Sequence, residues 1–293
     1  MQQLMQQLWN GLAIGSVYAL VAVGYTLVFG VLKFINFAHG SVLTVGAYIA
    51  LYSVLRKWLP FPLAFGLRMA LSGVFSYVTE MRAYRPLREK GAPKLNLLIT
   101  SIGVSLLVEN SIVVFVSPDF HPFPRVLPSA SIKIAGMMIP PVDLLLVAVG
   151  FILMFSLSYF VNRTLAGLTI KAVALDREAA ALMGINTGKT ISLTFFLAGI
   201  MASAAGVLIG MRFSVNPYLG GFFGLKSFAA AVVGGIGSVP GAYLGGYLIG
   251  MLETIGAAYI SSNYKDGIAF VLLVLVLLFK PSGLLGKGTQ EKV

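Results

Sequence analysis

The sequence contains no cysteine, which excludes disulfides, thiolate catalysis and cysteine-held metal sites. Its two histidines, His39 and His121, are far apart, so a histidine-built metal centre is not expected. Acidic residues are scarce: ten in 293, with only 11% of the chain charged at all. A soluble globular domain carries about a quarter of its residues as charges, so that class is excluded. No GxxxxGK[ST] phosphate loop is present, and Gly184–Lys189 lacks its spacing. No nucleophile–base set is apparent either, so neither nucleotide hydrolysis nor other bond-making chemistry is expected of this chain. The opening MQQLMQQLWN has neither a basic region nor a small-residue cleavage site. A cleaved secretory signal is therefore not expected there, and the first apolar run is read as an uncleaved insertion signal.

What the chain does have is apolar length. It is 58% hydrophobic, with a mean hydropathy of +0.90. This predicts an all-α polytopic membrane protein. Runs that can cross a bilayer fall near 11–32, 37–55, 62–80, 97–116, 141–161 and 190–211, with a final one near 267–280. Between the last two, 226–257 is one apolar region interrupted by Gly234-Gly235-Ile236-Gly237-Ser238-Val239-Pro240-Gly241. Such a break exposes backbone polar groups, so it must be buried in protein or line a cavity. The region is read as two short helices meeting at a turn, giving about eight to nine transmembrane or half-membrane helices in a single transmembrane domain, 1–293.

The formal net charge of +11 comes without a basic cluster interleaved with aromatics, so nucleic acid is not the expected partner. Excess Lys and Arg instead marks cytoplasmic loops. Arg82, Arg85, Arg88, Lys90 and Lys94 fall between two runs, Arg163, Lys171, Arg177 and Lys189 between two others, and Lys33, Lys280, Lys287 and Lys292 elsewhere on the same side. That side takes 13 of the 21 basic residues; Arg56, Lys57, Arg125, Lys133, Arg212, Lys226 and Lys265 take the other, and Arg68 stays within a span. The distribution predicts the N-terminus outside and the C-terminus in the cytoplasm. A single span over 226–257 would break that parity. The largest external segment, 117–140, is proline-rich, and its IKIAG stretch predicts a small strand or hairpin. It is either a landing surface for a soluble protein or a structured cap.

The stretch from Asn162 to Thr190, NRTLAGLTIKAVALDREAAALMGINTGKT, is the polar insert around which the rest is arranged. At helical period Leu168, Val173, Leu175, Ala179, Leu182 and Met183 supply apolar contacts, with Lys171, Arg177 and Glu178 among them. Gly184 suits a helix C-cap, and Asn186 or Thr187 suits the N-cap of the following span. Such a helix is either a docking surface for a soluble partner or an ordinary membrane-surface helix.

Glu178-Ala179-Ala180, three further residues and then Gly184 resemble the EAA loop of ABC importer permeases. The flanking GLTIKAVALDREAAALMGI is similar to the branch that carries branched-chain amino acids. Four more stretches carry the same resemblance in order: GYTLVFGVLKFINFAHG (24–40), YRPLR (84–88), GLK with AAVVGGIGSVPG (224–241), and FKPSGLLG (279–286). The third run departs from the pattern at Arg68 and Thr79, and the external loop is poorly matched.

The resemblance implies a transmembrane permease subunit of a bacterial inner-membrane ABC importer, working by alternating access. It implies a second homologous permease, two cytoplasmic ABC ATPase subunits that hydrolyse ATP, and an extracytoplasmic substrate-binding protein. No cofactor is expected on this chain. Asp176, Arg177, Glu178, Ala179, Ala180, Gly184 and Ile185 would then make the ATPase contact. Discontinuous helices offer free backbone groups to a zwitterion, which points to Asn36, His39 and Gly40 and to Gly234, Gly235, Gly237 and Ser238 for the substrate pathway. Glu109, an ionisable group inside a span, joins them as a pathway residue or a polar helix contact. Glu253 either faces a cavity or caps the interior of a short helix. Urea or a short amide is the alternative cargo. An ion-coupled secondary transporter is the rival class, with Glu109 and Glu253 as its only deep carboxylates.

Overall fold

A computed structural model describes residues 2–55, 61–128, 130–134 and 136–286. Arg56, Lys57, Lys287 and Lys292, used above for orientation, lie outside the described residues, as does Ala135 of the external hairpin. The architecture is helical, as the apolar runs require. In order come α1 (Gln2–Leu32), α2 (Ala38–Leu55), α3 (Phe61–Thr79), a π-helical turn (Glu80–Tyr84), α4 (Arg85–Glu89) and α5 (Lys94–Phe115). The external segment forms β1 (His121–Pro122), β2 (Ile132–Ile134) and β3 (Met137–Ile139). Then follow α6 (Pro141–Arg163), α7 (Leu165–Leu175), α8 (Arg177–Leu182), α9 (Thr187–Arg212), β4 (Ser214–Val215), α10 (Leu219–Gly234), α11 (Val239–Tyr259) and α12 (Lys265–Phe279). Among the described residues, five helical segments are long and apolar enough to cross a membrane: α1, α5, α6, α9 and the run Ser262–Phe279.

The helices sort by how their apolar residues are distributed. α1 is apolar all round, a pattern that belongs in the interior. It does lie there, enclosed by α6, α9, α10 and α11. The α1–α11 contact is made through glycine: a Cβ on Gly246 would lie 2.4 Å from Ala19 Cα, and one on Gly250 2.5 Å from Gly15 Cα. Where lipid removes the hydrophobic drive between helices, such close backbone approach is what holds them together. α5 and α12 sit at the periphery and leave most of their apolar surface uncovered.

The strands are short but tie distant elements. β2 and β3 form the hairpin expected of IKIAG, with Lys133 opposite Met138. Gln6 clamps it to the start of α1, donating from Nε2 to the Met138 carbonyl (3.0 Å) and accepting from Met138 N (2.9 Å). β1 pairs with β4, His121 opposite Val215. The α10–α11 pair matches the interrupted region, although its first helix begins earlier than expected, at Leu219.

Arg68 of α3, assigned to a span, is buried there, its Nε donating to Ser53 Oγ at 2.6 Å. Lys226 is a correction. Charge counting put it in an external loop, whereas it is buried within α10, because two carboxylates meet its ammonium there.

Candidate functional site

The break between α1 and α2 is built by residues that answer one another. Lys33 ends α1 in a left-handed conformation (φ 54°), rare for a non-glycine. Asn36 then starts α2, its Oδ1 accepting from Ala38 N (3.2 Å) and from the Tyr84 hydroxyl (2.8 Å). His39 is buried edge-on to Tyr25, ring centroids 4.8 Å apart, and lies so close to Gly24 that a Cβ there would be 2.1 Å from its Nε2. Gly40 approaches α10, where a Cβ would sit 2.4 Å from the Gly220 carbonyl oxygen, and Thr44 Oγ1 accepts from Gly220 N at 2.8 Å.

Tyr84 reaches Asn36 because the helix gains a residue just before it. The π-helical turn directs Glu80 and Tyr84 inward, and both are fully buried. Such one-turn insertions recur at functional sites. Glu80 accepts from Arg88 Nη2 (2.7 Å) and from Ser192 Oγ of α9 (2.5 Å). The YRPLR stretch is therefore split by direction: Tyr84 and Arg88 hold the bundle together, while Arg85 stays outside on Glu89 (2.7 Å).

The turn between α10 and α11 has its own partner. Gly235 and Gly237 adopt φ of 109° and 94°, open to glycine at little cost. Ser238 caps α11, its Oγ accepting from Gly241 N at 3.2 Å. A Cβ on Gly234 would lie 1.9 Å from the Gly241 carbonyl oxygen. Residues 283–286 lie across the turn: Leu284 N donates to the Val233 carbonyl and Leu285 N to that of Gly234, both at 2.9 Å. Two of the motifs singled out in the sequence thus pack on each other.

Both breaks flank one narrow gap, lined by Tyr25, Phe29, Ile35, Phe228, Ala231 and Ile236, of about 10 Å³. That is room for a single water at most. A groove between α11 and α12, about 340 Å³, is lined by Leu252, Tyr264, Gly267, Ile268, Val271, Leu272 and Leu275 and offers a zwitterion no charged partner. Glu109 lies on α5, whose Ser101 accepts from Phe37 N at the first break.

Sequence reasoning missed an ionic network. Glu253 of α11 receives Lys226 Nζ at 2.8 Å, the Tyr18 hydroxyl at 2.8 Å and Lys265 Nζ at 3.4 Å. Lys226 also bridges to Asp266 at 2.6 Å. This joins α1, α10, α11 and α12, and Glu253 is buried among these partners. The available signal was the lysine of GLK standing inside an apolar run.

The polar insert forms two helices, not the continuous one expected. Asp176 interrupts it: its Oδ1 accepts from Glu178 N and Ala179 N, both at 2.9 Å, so α8 starts afresh. Val173 and Ala180 pack inward, but Leu168 (51%) and Leu175 (88%) on α7, and Leu182 (89%) and Met183 (83%) after the restart, are exposed instead of making the contacts expected of them, and so is Ala179; the restart shifts the helical phase only beyond Asp176. Gly184 closes α8 with φ 82°. Its N donates to the Ala181 carbonyl and Ile185 N to that of Ala180, the paired bonds of a Schellman cap. Asn186 Oδ1 then accepts from Lys189 N at 2.9 Å and starts α9. Arg177 and Glu178 are exposed beside these leucines.

Comparison with known proteins matches this arrangement. PsaBC from Streptococcus pneumoniae, solved in complex with a Fab, has a similar fold: TM-score 0.53 at 13% identity, over 93% of this chain and 91% of that one. The high-affinity branched-chain amino acid transport system permease protein BraD of Pseudomonas aeruginosa is 41% identical, covering 99% of this chain and 98% of the relative. The permease protein LivH of the same kind of system from Escherichia coli K12 is 37% identical over 99% and 97%. Residues 7–277 match the model of the branched-chain amino acid transport system permease component, and the chain belongs to that family.

Proposed function

We propose that this chain is the membrane-spanning subunit of an ABC importer for branched-chain amino acids in a bacterial inner membrane. The observation that carries this reading is near-full-length identity to two permeases named for that cargo. Those names favour it over urea, a short amide or an ion-coupled transporter. The chain hydrolyses nothing itself. It pairs with a second homologous permease, two cytoplasmic ATPases and an extracytoplasmic binding protein, its N-terminus outside and its C-terminus in the cytoplasm.

The geometry supports a division of labour. Leu175, Leu182 and Met183 stand out from a rigidly capped turn-and-helix, an apolar knob of the kind a soluble ATPase can enclose. Asp176, Arg177, Glu178, Ala179, Ala180, Gly184 and Ile185 hold and surround it. ATP-driven closure of the ATPases displaces this knob and, through α7 and α9, the bundle. A gap of about 10 Å³ between the two breaks cannot pass an amino acid, which supports a path between two permeases. Asn36, His39 and Gly40 and the turn of Gly234, Gly235, Gly237 and Ser238 border that path, and Glu109 lies on its wall.

The test is reconstitution in liposomes with the partner permease, ATPases and binding protein. Leucine uptake that requires ATP, and is abolished together with ATPase co-purification by Leu182→Asp plus Met183→Asp, is the expected result. Uptake by this chain alone, without ATP, overturns the reading.

A further inference from the structure

The last helix, α12, is clasped at its two ends. At one, Lys226 Nζ of α10 bridges to Asp266 at 2.6 Å and Lys265 Nζ to Glu253 of α11 at 3.4 Å. At the other, residues 283–286, which follow α12, are bonded across the α10–α11 turn. Between the clasps Gly256 of α11 packs against Ile268, and beside that contact runs the groove of about 340 Å³.

The groove follows one stripe of α12. Tyr264, Ile268, Val271 and Leu275 recur at helical spacing, and each lines it. Lys265 stands two turns before Leu272, another lining residue, and so borders the groove at its end. From Lys265 to Leu275 the helix rises about 15 Å, half of the hydrocarbon thickness of a bilayer. The groove therefore has the depth of one leaflet. Spread over that length, its volume gives a width of about 5 Å. Carbon atoms in contact stand about 4 Å apart, so a single hydrocarbon chain fits. An α-helix, about 10–12 Å across with its side chains, does not.

Charge is confined to the end of the groove. Its lining carries none, whereas the Lys265 side chain is 41% exposed. An ammonium has three donors, and Glu253 engages one side of it, leaving donors for an anion at headgroup depth. Tyr264 beside it is 66% exposed, an amphipathic ring of the kind that membrane interfaces favour.

We propose that the α11–α12 groove binds one phospholipid, an acyl chain lying along Ile268, Val271 and Leu275 and the headgroup phosphate resting on Lys265. The acyl chain supplies the lateral contacts that the protein leaves unmade between the two clasps. The site requires a membrane-spanning chain and is independent of the cargo.

Gly267 belongs to the groove wall, and a Cβ there meets nothing within 4 Å. Gly267→Phe therefore fills the groove without displacing protein. The complete importer is purified in mild detergent, its lipid is counted by native mass spectrometry, and melting is followed after delipidation and titration with dioleoyl phosphatidylglycerol. Dioleoylglycerol, with the same chains and no phosphate, is the control. The wild type is expected to keep one more phospholipid per copy of this chain than Gly267→Phe. Its melting temperature should rise by about 2–4 °C with the phospholipid and less with dioleoylglycerol. Gly267→Phe should lose this gain, and Lys265→Gln should lose only the preference for the phospholipid. Equal lipid counts and equal melting shifts in the wild type and Gly267→Phe overturn the proposal. Equal shifts with the two lipids in the wild type overturn the place given to the phosphate. Because the chain has no cysteine, Val271→Cys supplies a single thiol, and its alkylation with N-dodecylmaleimide after assembly fills the groove in a folded protein. Loss of the bound phospholipid on alkylation supports the site even where Gly267→Phe fails to fold. A thiol that reacts in the chain purified alone but is shielded in the delipidated importer places the partner permease in the groove and overturns the proposal.

Discussion

The ammonium of Lys226 lies 2.8 Å from the carboxylate of Glu253, an ion pair buried inside the helix bundle. Both groups are desolvated, and removing one leaves the other with weaker company: Lys226 with the exposed Asp266, or Glu253 with Lys265 at 3.4 Å and the Tyr18 hydroxyl. Lys226→Met and Glu253→Gln are each expected to cost about 1–3 kcal/mol. The double variant should cost less than their sum, with a coupling of about 1 kcal/mol or more. Thermal unfolding of the four proteins in detergent measures this, and additive losses would show that the pair does not act as a unit.

Glycines at the α1–α11 contact are expected to be irreplaceable where those on exposed faces are not. Gly250→Ala drives a methyl to 2.5 Å from Gly15 Cα, and backbone on both sides cannot move aside. A cost of about 1–3 kcal/mol follows from overpacking. Gly66→Ala in α3 meets nothing within 4 Å and should be neutral or gain up to about 1 kcal/mol from helix propensity. Melting temperatures of the two variants should move in opposite directions or differ clearly.

Two arginines three residues apart should behave differently. Arg88 and Glu80 are buried together, so Glu80→Gln strands a guanidinium and is expected to lower stability by about 3 kcal/mol. Arg85 and Glu89 are both in solvent. The Arg85 guanidinium holds the Glu89 carboxyl below its usual range, so the pair's stabilisation is present above the ordinary carboxylate pKa and fades as pH falls through the lowered one. Water and salt screen it. Glu89→Gln should leave the melting temperature unchanged at pH 7 and at pH 4, where a shift would show that the exposed pair is structural.

Much of this was legible in the sequence, and the remainder has physical causes. Apolar runs announced their helices because a bilayer demands length and little else. Gly-Ser-Val-Pro-Gly announced a break because no lipid-exposed backbone tolerates it. Gly184 and Asn186 announced their caps through local chemistry. Lys226 was misplaced because its partners, Glu253 and Asp266, are brought to it only by tertiary folding, and charge counting assumes that basic residues sit in loops. The inward turn of Glu80 and Tyr84 depends on one extra residue in a helix, which leaves no compositional trace. Leu182 and Met183 were read as packed because one helical phase was carried across Asp176.

Those caps yield a further expectation. Asp176→Ala loses the acceptor for two backbone donors, about 1 kcal/mol of local stability. Gly184→Ala forces a side chain into φ 82°, about 1–2 kcal/mol. Neither residue touches the bundle core, so the melting temperature should barely move. Co-purification of ATPase subunits should fall in both variants, and full retention would show that the knob needs no fixed orientation.

The backbone bonds from Leu284 and Leu285 to Val233 and Gly234 set an order of events during synthesis. Residues 283–286 follow all twelve of the described α-helices, so the α10–α11 turn keeps open carbonyls until every one of those helices has left the ribosome. A nascent bundle therefore carries a chemically distinct mark of incompleteness, and the same four residues that erase it latch the finished helices in place.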